Sequence, residues 1–328
     1  MNKIYVILLT LVMALTGSTT VSAVTESELD RAINRTVTYL QRNVPNPTVT
    51  SVGGEWTVFA LARSERNIPA SYFARYFRNV ENHVIERNGI LDTRRITEHS
   101  RVILALTAAG YDPQNIAGYN LLLPLGDFEQ TIWQGINGSI FALLALDSGN
   151  FDIPINRNAT IQSTRELFVN EILYHQLQDG GWSLRGTVGD PDITAMALQA
   201  LAKYRDNQYV KTAVEAGLNF LSNAQNSQGG FTSSISNSQP GVESSAQVLV
   251  ALTELGIDIN DPRFVKNGNS VLTNILSFQN RNGGFRQNLS NTDSNIMSTE
   301  MGLYALVAAQ RAVEGRNTLY SMSDRVLR

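Results

Sequence analysis

Residues 177–204, LQDGGWSLRGTVGDPDITAMALQALAKY, place a glycine turn, a short acidic pattern and a small-residue helix in a row. Gly180 and Gly181 can take left-handed backbone angles that cost an L-residue roughly 1 kcal/mol or more, so they end a preceding helix sharply. Trp182 then stands where an aromatic ring can plug the gap between neighbouring helices. Asp190 is a favourable N-cap, Pro191 suits the first helical position, and Asp192 falls in the first turn, near the positive end of the helix dipole. The run TAMALQALAKY is apolar almost all round, which marks a helix buried on most sides.

Working outward, the turn and the helix both recur. Gln178-Asp179-Gly180-Gly181-Trp182 is echoed by Gln225 to Phe231 and by Gln279 to Phe285, each ending in Gly-Gly-aromatic. Small-apolar runs carrying Ala-Leu begin that dipeptide at Ala60, Ala105, Ala145, Ala200, Ala251 and Ala305, at intervals that fit two helices and their loops. Between the runs lie amphipathic segments such as ESELDRAINRTVTYLQRN, ASYFARYFRNVENHVIER and YVKTAVEAGLNFLSNAQN. Six inner and about six outer helices in alternation predict an all-α fold, an α6/α6 toroid closed on itself.

The chain ends bound its setting. MNKIYVILLTLVMALTGSTTVSAV carries one lysine, an apolar run of about 12 residues and a Val-Ser-Ala site, which predicts a secretory signal peptide over 1–23 and a single toroid domain over 24–328. The run falls short of the ~20 residues a membrane span needs, and no later segment is more apolar, so no stable membrane insertion is expected. The expected location is secreted or cell-surface associated. The formal charge of −3 comes with no Lys/Arg cluster, which argues against nucleic acid as a partner. The chain has no cysteine, so disulfides and thiolate chemistry are excluded. The ending SMSDRVLR reads as a solvated tail.

The Gly-Gly-aromatic turns followed by small-residue helices resemble the repeats of the prenyltransferase and squalene/terpene cyclase toroids. QGINGSIFALLALDSGN (134–150) and DPDITAMALQALAKYRDN (190–207) are most similar to the toroid modules of secreted bacterial surface proteins and of cobalamin-binding intrinsic factor and transcobalamin. This resemblance implies the toroid and, across its enzymes and non-enzymes, leaves activity open. It also implies that the inner helices start at one rim, the mouth of a central cavity. Glu55 with Trp56, Glu98 with His99, Asn137, Asp190 with Asp192, Glu243 with Ser244, and Ser298 with Glu300 precede or open the inner runs. Trp133 and Trp182 are expected close by.

Three chemistries compete for these residues. Asp190-Pro191-Asp192-Ile193 resembles the Asp-x-Asp-Asp acid of class II terpene cyclases, which implies Asp192 as general acid with Asp190 beside it, but Ile193 replaces the last acid. Glycan cleavage by paired carboxylates is a second option, with Glu55, Glu98, Asp192, Glu243 and Glu300 as the acids. Capping accounts for the same residues without catalysis, and the helix dipole would hold Asp192 ionised. The zinc site of protein prenyltransferases needs a cysteine that is absent, and His83, His99 and His175 each stand alone, so no metal and no cofactor is expected. The reading that results is a secreted, non-catalytic toroid. Its mouth, formed by Glu55, Trp56, Glu98, His99, Asn137, Trp182, Glu243, Ser244 and Glu300, binds a small molecule such as a corrinoid, or a cell-surface partner. The alternative is a terpene cyclase using Asp192.

Overall fold

The structure, a computed structural model, describes residues 24–233 and 239–327. The expected signal peptide lies outside the described residues. Twelve helices are described: α1 (Glu26–Asn43), α2 (Trp56–Arg63), α3 (Ala70–Glu86), α4 (Thr97–Ala109), α5 (Phe128–Ile132), α6 (Ile136–Ser148), α7 (Arg165–Tyr174), α8 (Pro191–Leu201), α9 (Gln208–Ala224), α10 (Val242–Glu254), α11 (Val271–Ser277) and α12 (Ile296–Val313). A two-residue hairpin, β1 (Val265–Lys266) with β2 (Asn269–Ser270), interrupts the helical chain before α11.

The even-numbered helices form the inner ring. α2 packs on α4, α4 on α6, α6 on α8, α8 on α10, α10 on α12 and α12 back on α2, which closes the circle. They contain the six Ala-Leu runs, and their buried faces supply much of the hydrophobic core. The odd-numbered helices lie outside: α7 packs on α6, α9 on α8, α11 on α10 and α1 on α12. Amphipathic α1 and α3 bury one stripe each, Leu29, Ile33, Val37 and Leu40 in the first and Tyr72, Tyr76, Val80 and Val84 in the second. The outer position before α6 is filled by a loop and the short α5, so this α6/α6 toroid is irregular on one side.

The glycine turns are built alike, and the structure moves the first glutamine of the pattern from Gln178 to Gln176. Gln176, Gln225 and Gln279 each donate from the side-chain amide to the carbonyl of the first turn glycine and to a backbone carbonyl across the outer wall, at Ala213, Phe264 and Ala32. The first glycines have φ of 86°, 78° and 91°. A Cβ on Gly283 would lie 2.3 Å from the Arg35 carbonyl oxygen, so this turn needs glycine for space as well as for conformation. The third turn thereby bonds the last outer helix to the first and helps close the ring.

The far end of the ring, at the C-termini of the inner helices, is crossed by the last residues of the chain. Leu319, Tyr320 and Met322 are buried there. Asp324 accepts from two buried arginines, Arg63 at 2.7 Å and Arg311 at 2.5 Å, and Arg63 also donates to the Thr318 and Ser321 carbonyls. The expectation of a solvated tail is therefore corrected: SMSDRVLR includes a strap held by buried charge. Among the described residues no helix is long and apolar enough to cross a membrane.

Candidate active site

The inner helices are buried nearly throughout, so their half-buried positions show which face looks into the lumen. In the first two turns of α2 to α10 these are Trp56 on α2, Glu98 and Arg101 on α4, Asn137 and Phe141 on α6, Asp192 and Met196 on α8, and Glu243 and Gln247 on α10. In α6, α8 and α10 the two positions are four apart, one helical turn, as a single lumen-facing stripe requires. Polar residues occupy the first turn and larger, mostly apolar ones the second. The result is a bowl at the rim where the inner helices start.

The bowl has a solid floor. Trp56 contacts Phe141 across the lumen at 6.1 Å between ring centroids and Tyr304 at 5.8 Å. Beneath them Gln247 accepts from Gln199, Gln199 accepts from the Tyr304 hydroxyl at 3.0 Å, and Tyr304 bonds Tyr320 of the strap at 2.7 Å. These layers plug the lumen, so among the described residues there is no deep apolar cavity of the kind a terpene cyclase needs. The cyclase alternative for Asp190 and Asp192 is corrected on that ground.

Asp190 and Asp192 differ in what they do. Asp190 is fully buried and caps α8, its Oδ1 accepting from the N–H groups of Asp192 at 2.9 Å and Ile193 at 3.2 Å. Its other oxygen accepts from the Ser233 hydroxyl at 2.8 Å. Asp192 does not cap. Its Oδ1 has no hydrogen-bond partner, and burial, with help from the charges of Asp190 and Glu243, pushes its carboxyl up to about 7 against a nearby Ser244 hydroxyl that favours the anion. Burial thus outweighs the helix dipole that was expected from the sequence to hold Asp192 ionised.

Glu243 lies on the neighbouring helix and is also raised by burial, but the Ser298 hydroxyl donates to its Oε1 at 2.5 Å and favours its charge. Glu300, 1% exposed, accepts from the Thr57 hydroxyl at 2.6 Å and the Gly53 N–H at 3.1 Å, and burial pushes it up to about 7. Glu55, 2% exposed, is pushed up to about 8 by burial, only partly countered by Arg101 at 3.8 Å. Glu98 pairs with Arg101 at 2.5 Å and faces a 290 Å³ side pocket that also involves His83, Arg87 and Arg95.

Two residues expected at the mouth are turned away from it. Trp182 is fully buried, donates from Nε1 to the Ile172 carbonyl at 2.6 Å and fills the space beside Gly217 of α9, so its assignment to a ligand is corrected to a structural wedge. His99 is fully buried too; its Nε2 accepts from the Leu91 N–H at 3.0 Å, and desolvation lowers it to about 4, so it stays neutral and packs rather than binds. Ser244 is buried beside Asp192, whereas Asn137 remains at the rim with its Oδ1 unpartnered. Trp133 is 62% exposed beneath the Arg94 guanidinium, 5.6 Å from its ring centroid. Sequence reasoning missed Arg101, Phe141, Met196, Gln247 and Tyr304; the signal was their place one turn beyond the rim residues. No group of three or more His, Asp or Glu suited to a metal is found among the described residues.

Solved structures similar in fold to this chain include glycosidases. An unsaturated glucuronyl hydrolase from a Bacillus species, responsible for glycosaminoglycan degradation, matches with a TM-score of 0.58 at 13% identity, covering 90% of this chain and all of its own. A wild-type glycosidase matches with a TM-score of 0.56 at 12% identity, covering 88% of this chain and 99% of its own. A glycosidase in complex with glucose matches at 0.55 and 12% over the same shares. No family model and no curated protein sequence matches the chain. At these identities the likeness is one of fold. It corrects the expected relatives, since the neighbours are neither terpene cyclases nor intrinsic factor, and it overturns the expectation of a non-catalytic, corrinoid-type or surface-binding toroid.

Proposed function

We propose that this chain is a glycoside hydrolase that works at the bowl, with Asp192 as proton donor and Glu243 as its carboxylate partner. The observation that carries the reading is the contrast between these two acids on adjacent inner helices. Both are half-buried and raised by burial, and each has a serine hydroxyl beside it that favours its charge, Ser244 for Asp192 and Ser298 for Glu243; they differ in that Asp192 Oδ1 has no hydrogen-bond partner and its carboxyl is pushed up to about 7. Two carboxyls whose surroundings separate their protonation are what acid–base cleavage of a glycosidic bond requires. The glycosidase fold of the neighbours supports the same reading.

In the reaction Asp192 gives its proton to the glycosidic oxygen as the bond from that oxygen to the anomeric carbon breaks. Glu243 takes a proton from the water that forms the new bond to that carbon. Both fragments leave as hydroxyl-bearing sugars, and the two carboxyls return to their starting states through solvent. Trp56 and Phe141 offer ring faces beneath the sugar, and Trp133 offers one at the rim. The test is release of reducing ends from a panel of soluble oligosaccharides. Turnover by the wild type that falls by about 100-fold or more in Asp192→Asn is the expected result. Turnover that survives that substitution, or no turnover on neutral, amino or acidic glycans, would remove the proposal.

A further inference from the structure

We infer that the side pocket between α3 and the start of α4 binds a tetrahedral oxyanion, a sulfate or phosphate group, free or carried on a sugar. The inference goes beyond the glycosidase reading and does not depend on it. The pocket has a volume of about 290 Å³ and three walls. The loop before α2 contributes Thr50 and Ser51, the end of α3 contributes His83 and Arg87, and the approach to α4 with its first turns contributes Asp92, Arg95, Glu98 and Arg101. Val49, Leu91 and Val102 add an apolar surface against which a small carbon skeleton can rest.

Each acid in these walls already has its own arginine. Asp92 accepts from the Arg95 guanidinium at 2.9 and 3.0 Å and from the N–H groups of Arg94 and Arg95, both at 2.8 Å. Glu98 pairs with Arg101 at 2.5 Å and with Arg95 at 3.4 Å. Arg87 is the cation left over: it forms no ion pair among the described residues, and its guanidinium donates from Nη1 to the Leu91 carbonyl at 3.1 Å, which leaves its other N–H groups to spare. The Thr50 and Ser51 side chains form no hydrogen bond among the described residues either, so one guanidinium and two hydroxyls with unused donors line the same cavity. A planar carboxylate is satisfied by one arginine fork, whereas a tetrahedral anion has further oxygens for the two hydroxyls. An ammonium would meet the surplus positive charge with its own, and a neutral sugar would leave that charge unmatched.

His83 gives the site a signature. Desolvation, and after it the charge of Arg87, holds its imidazole below the ordinary histidine value, against the opposing charges of Glu86 and Glu98. Arg87 and Glu86 face it from its own end of α3 and Glu98 from α4, with Asp92, Arg95 and Arg101 around the same pocket. An anion seated among these groups offsets the Arg87 charge and favours the protonated imidazole, so binding takes up protons.

Calorimetry on the purified protein at about pH 6.5, close to the ordinary histidine value, tests this with inorganic sulfate, glucose 6-sulfate, glucuronate, glucose and glucosamine. Glucose 6-sulfate is expected to bind about ten-fold or more tighter than glucose or glucosamine, with glucuronate between them, and added salt should weaken it selectively. Inorganic sulfate binding as tightly as the sugar sulfate identifies a free ion as the occupant, and weaker binding of the bare ion identifies a group carried on a sugar; both support the inference. Titrations in buffers of different ionisation enthalpy should show proton uptake with the sulfate, which does not itself titrate in this range, and His83→Gln should abolish that uptake while leaving affinity within about three-fold. Arg87→Gln, checked for folding by its thermal transition, should weaken sulfate binding about ten-fold, and Arg87→Lys should recover only part of it. Glucose, glucosamine or glucuronate binding as tightly as the sulfate, sulfate affinity unmoved by Arg87→Gln, binding without proton uptake, or no binding of either sulfate would overturn the inference. Asp192-dependent glycan cleavage is compatible with each of these results, so the two readings fail separately.

Discussion

The two ends of the inner barrel bury carboxyl groups to opposite effect. At the far end Glu254 is pushed up to about 7 by burial, yet it accepts from the Tyr320 N–H at 3.1 Å and interacts with Thr318 and Leu319. Asp324 nearby accepts from Arg63 and Arg311. Glu254 is thus bonded to the strap and Asp324, in the strap, is bonded to the helices, beside a 240 Å³ pocket lined by Asp147, Gln199, Lys203, Glu254 and Tyr320. At the near end the acids retain unpartnered oxygens and face an open bowl. Burial alone therefore does not mark a functional acid. What sets the near-end acids Glu55, Asp192 and Glu300 apart is the oxygens they leave without a hydrogen-bond partner.

The largest expected effect separates the ends by activity. Asp192→Asn removes the proposed proton donor and is expected to lower turnover by about 100-fold or more with little change in the thermal transition, whereas no single acid of the far end should affect turnover so strongly. Comparable losses from Glu254→Gln, measured in the same assay, would break the distinction.

Stability should invert the order. Asp324→Ala leaves Arg63 and Arg311, with side chains 0% and 2% exposed, short of their shared carboxylate. Removing one partner of a buried charge cluster costs ~3 kcal/mol or more, so denaturant unfolding should show a loss of that size while turnover per folded molecule is retained. A loss under about 0.5 kcal/mol would mean that the strap is not held by these charges.

Acidity offers a third contrast. Glu55 at about 8, and Asp192, Glu300 and Glu254 at about 7, all stand above their ordinary values, so the native state binds more protons than the unfolded chain between roughly pH 4.5 and 8. Their contribution is complete below the unfolded values and is lost as pH rises through the folded ones. The thermal transition, followed by circular dichroism, is expected to be highest near about pH 5 and to fall toward pH 8. Glu300→Gln should flatten that slope. A transition that rises steadily from pH 5 to 8 would contradict the assignment.

The smallest effect concerns the rim. Trp133→Ala is expected to raise KM a few-fold, about 1 kcal/mol, with kcat nearly unchanged, since an exposed ring contributes area rather than chemistry. An unchanged KM for every cleaved glycan would remove Trp133 from the site.

Much of the fold was legible because a closed helical ring repeats its own packing problem. The Ala-Leu runs mark helices crowded on all sides, and the Gly-Gly-aromatic turns mark where outer helices stop. The capping role of Asp190 followed from Asp-Pro alone. The site was less legible because an acid at a helix start has the same sequence signature whether it caps, as Asp190 does, or leaves one oxygen buried without a partner, as Asp192 does. What separates them is the neighbouring helix, Ser233 and Ser244 against the lumen, and that neighbour comes from a distant part of the chain. Asp324 was missed in part for the same reason, since its partner Arg63 comes from α2 at the other end of the chain, although Arg311, and Tyr304 beside Tyr320, lie on the preceding α12.

The most direct measurement is the carboxyl titration of Asp192 in the folded protein by carbon-detected NMR, with Asp192→Asn to assign the resonance. A midpoint near 7 is expected, with a matching limb in the pH–rate profile for glycan cleavage. A midpoint at or below the ordinary aspartate value of about 3.9 would mean an ionised first-turn carboxylate, and the proposed proton donor would be gone.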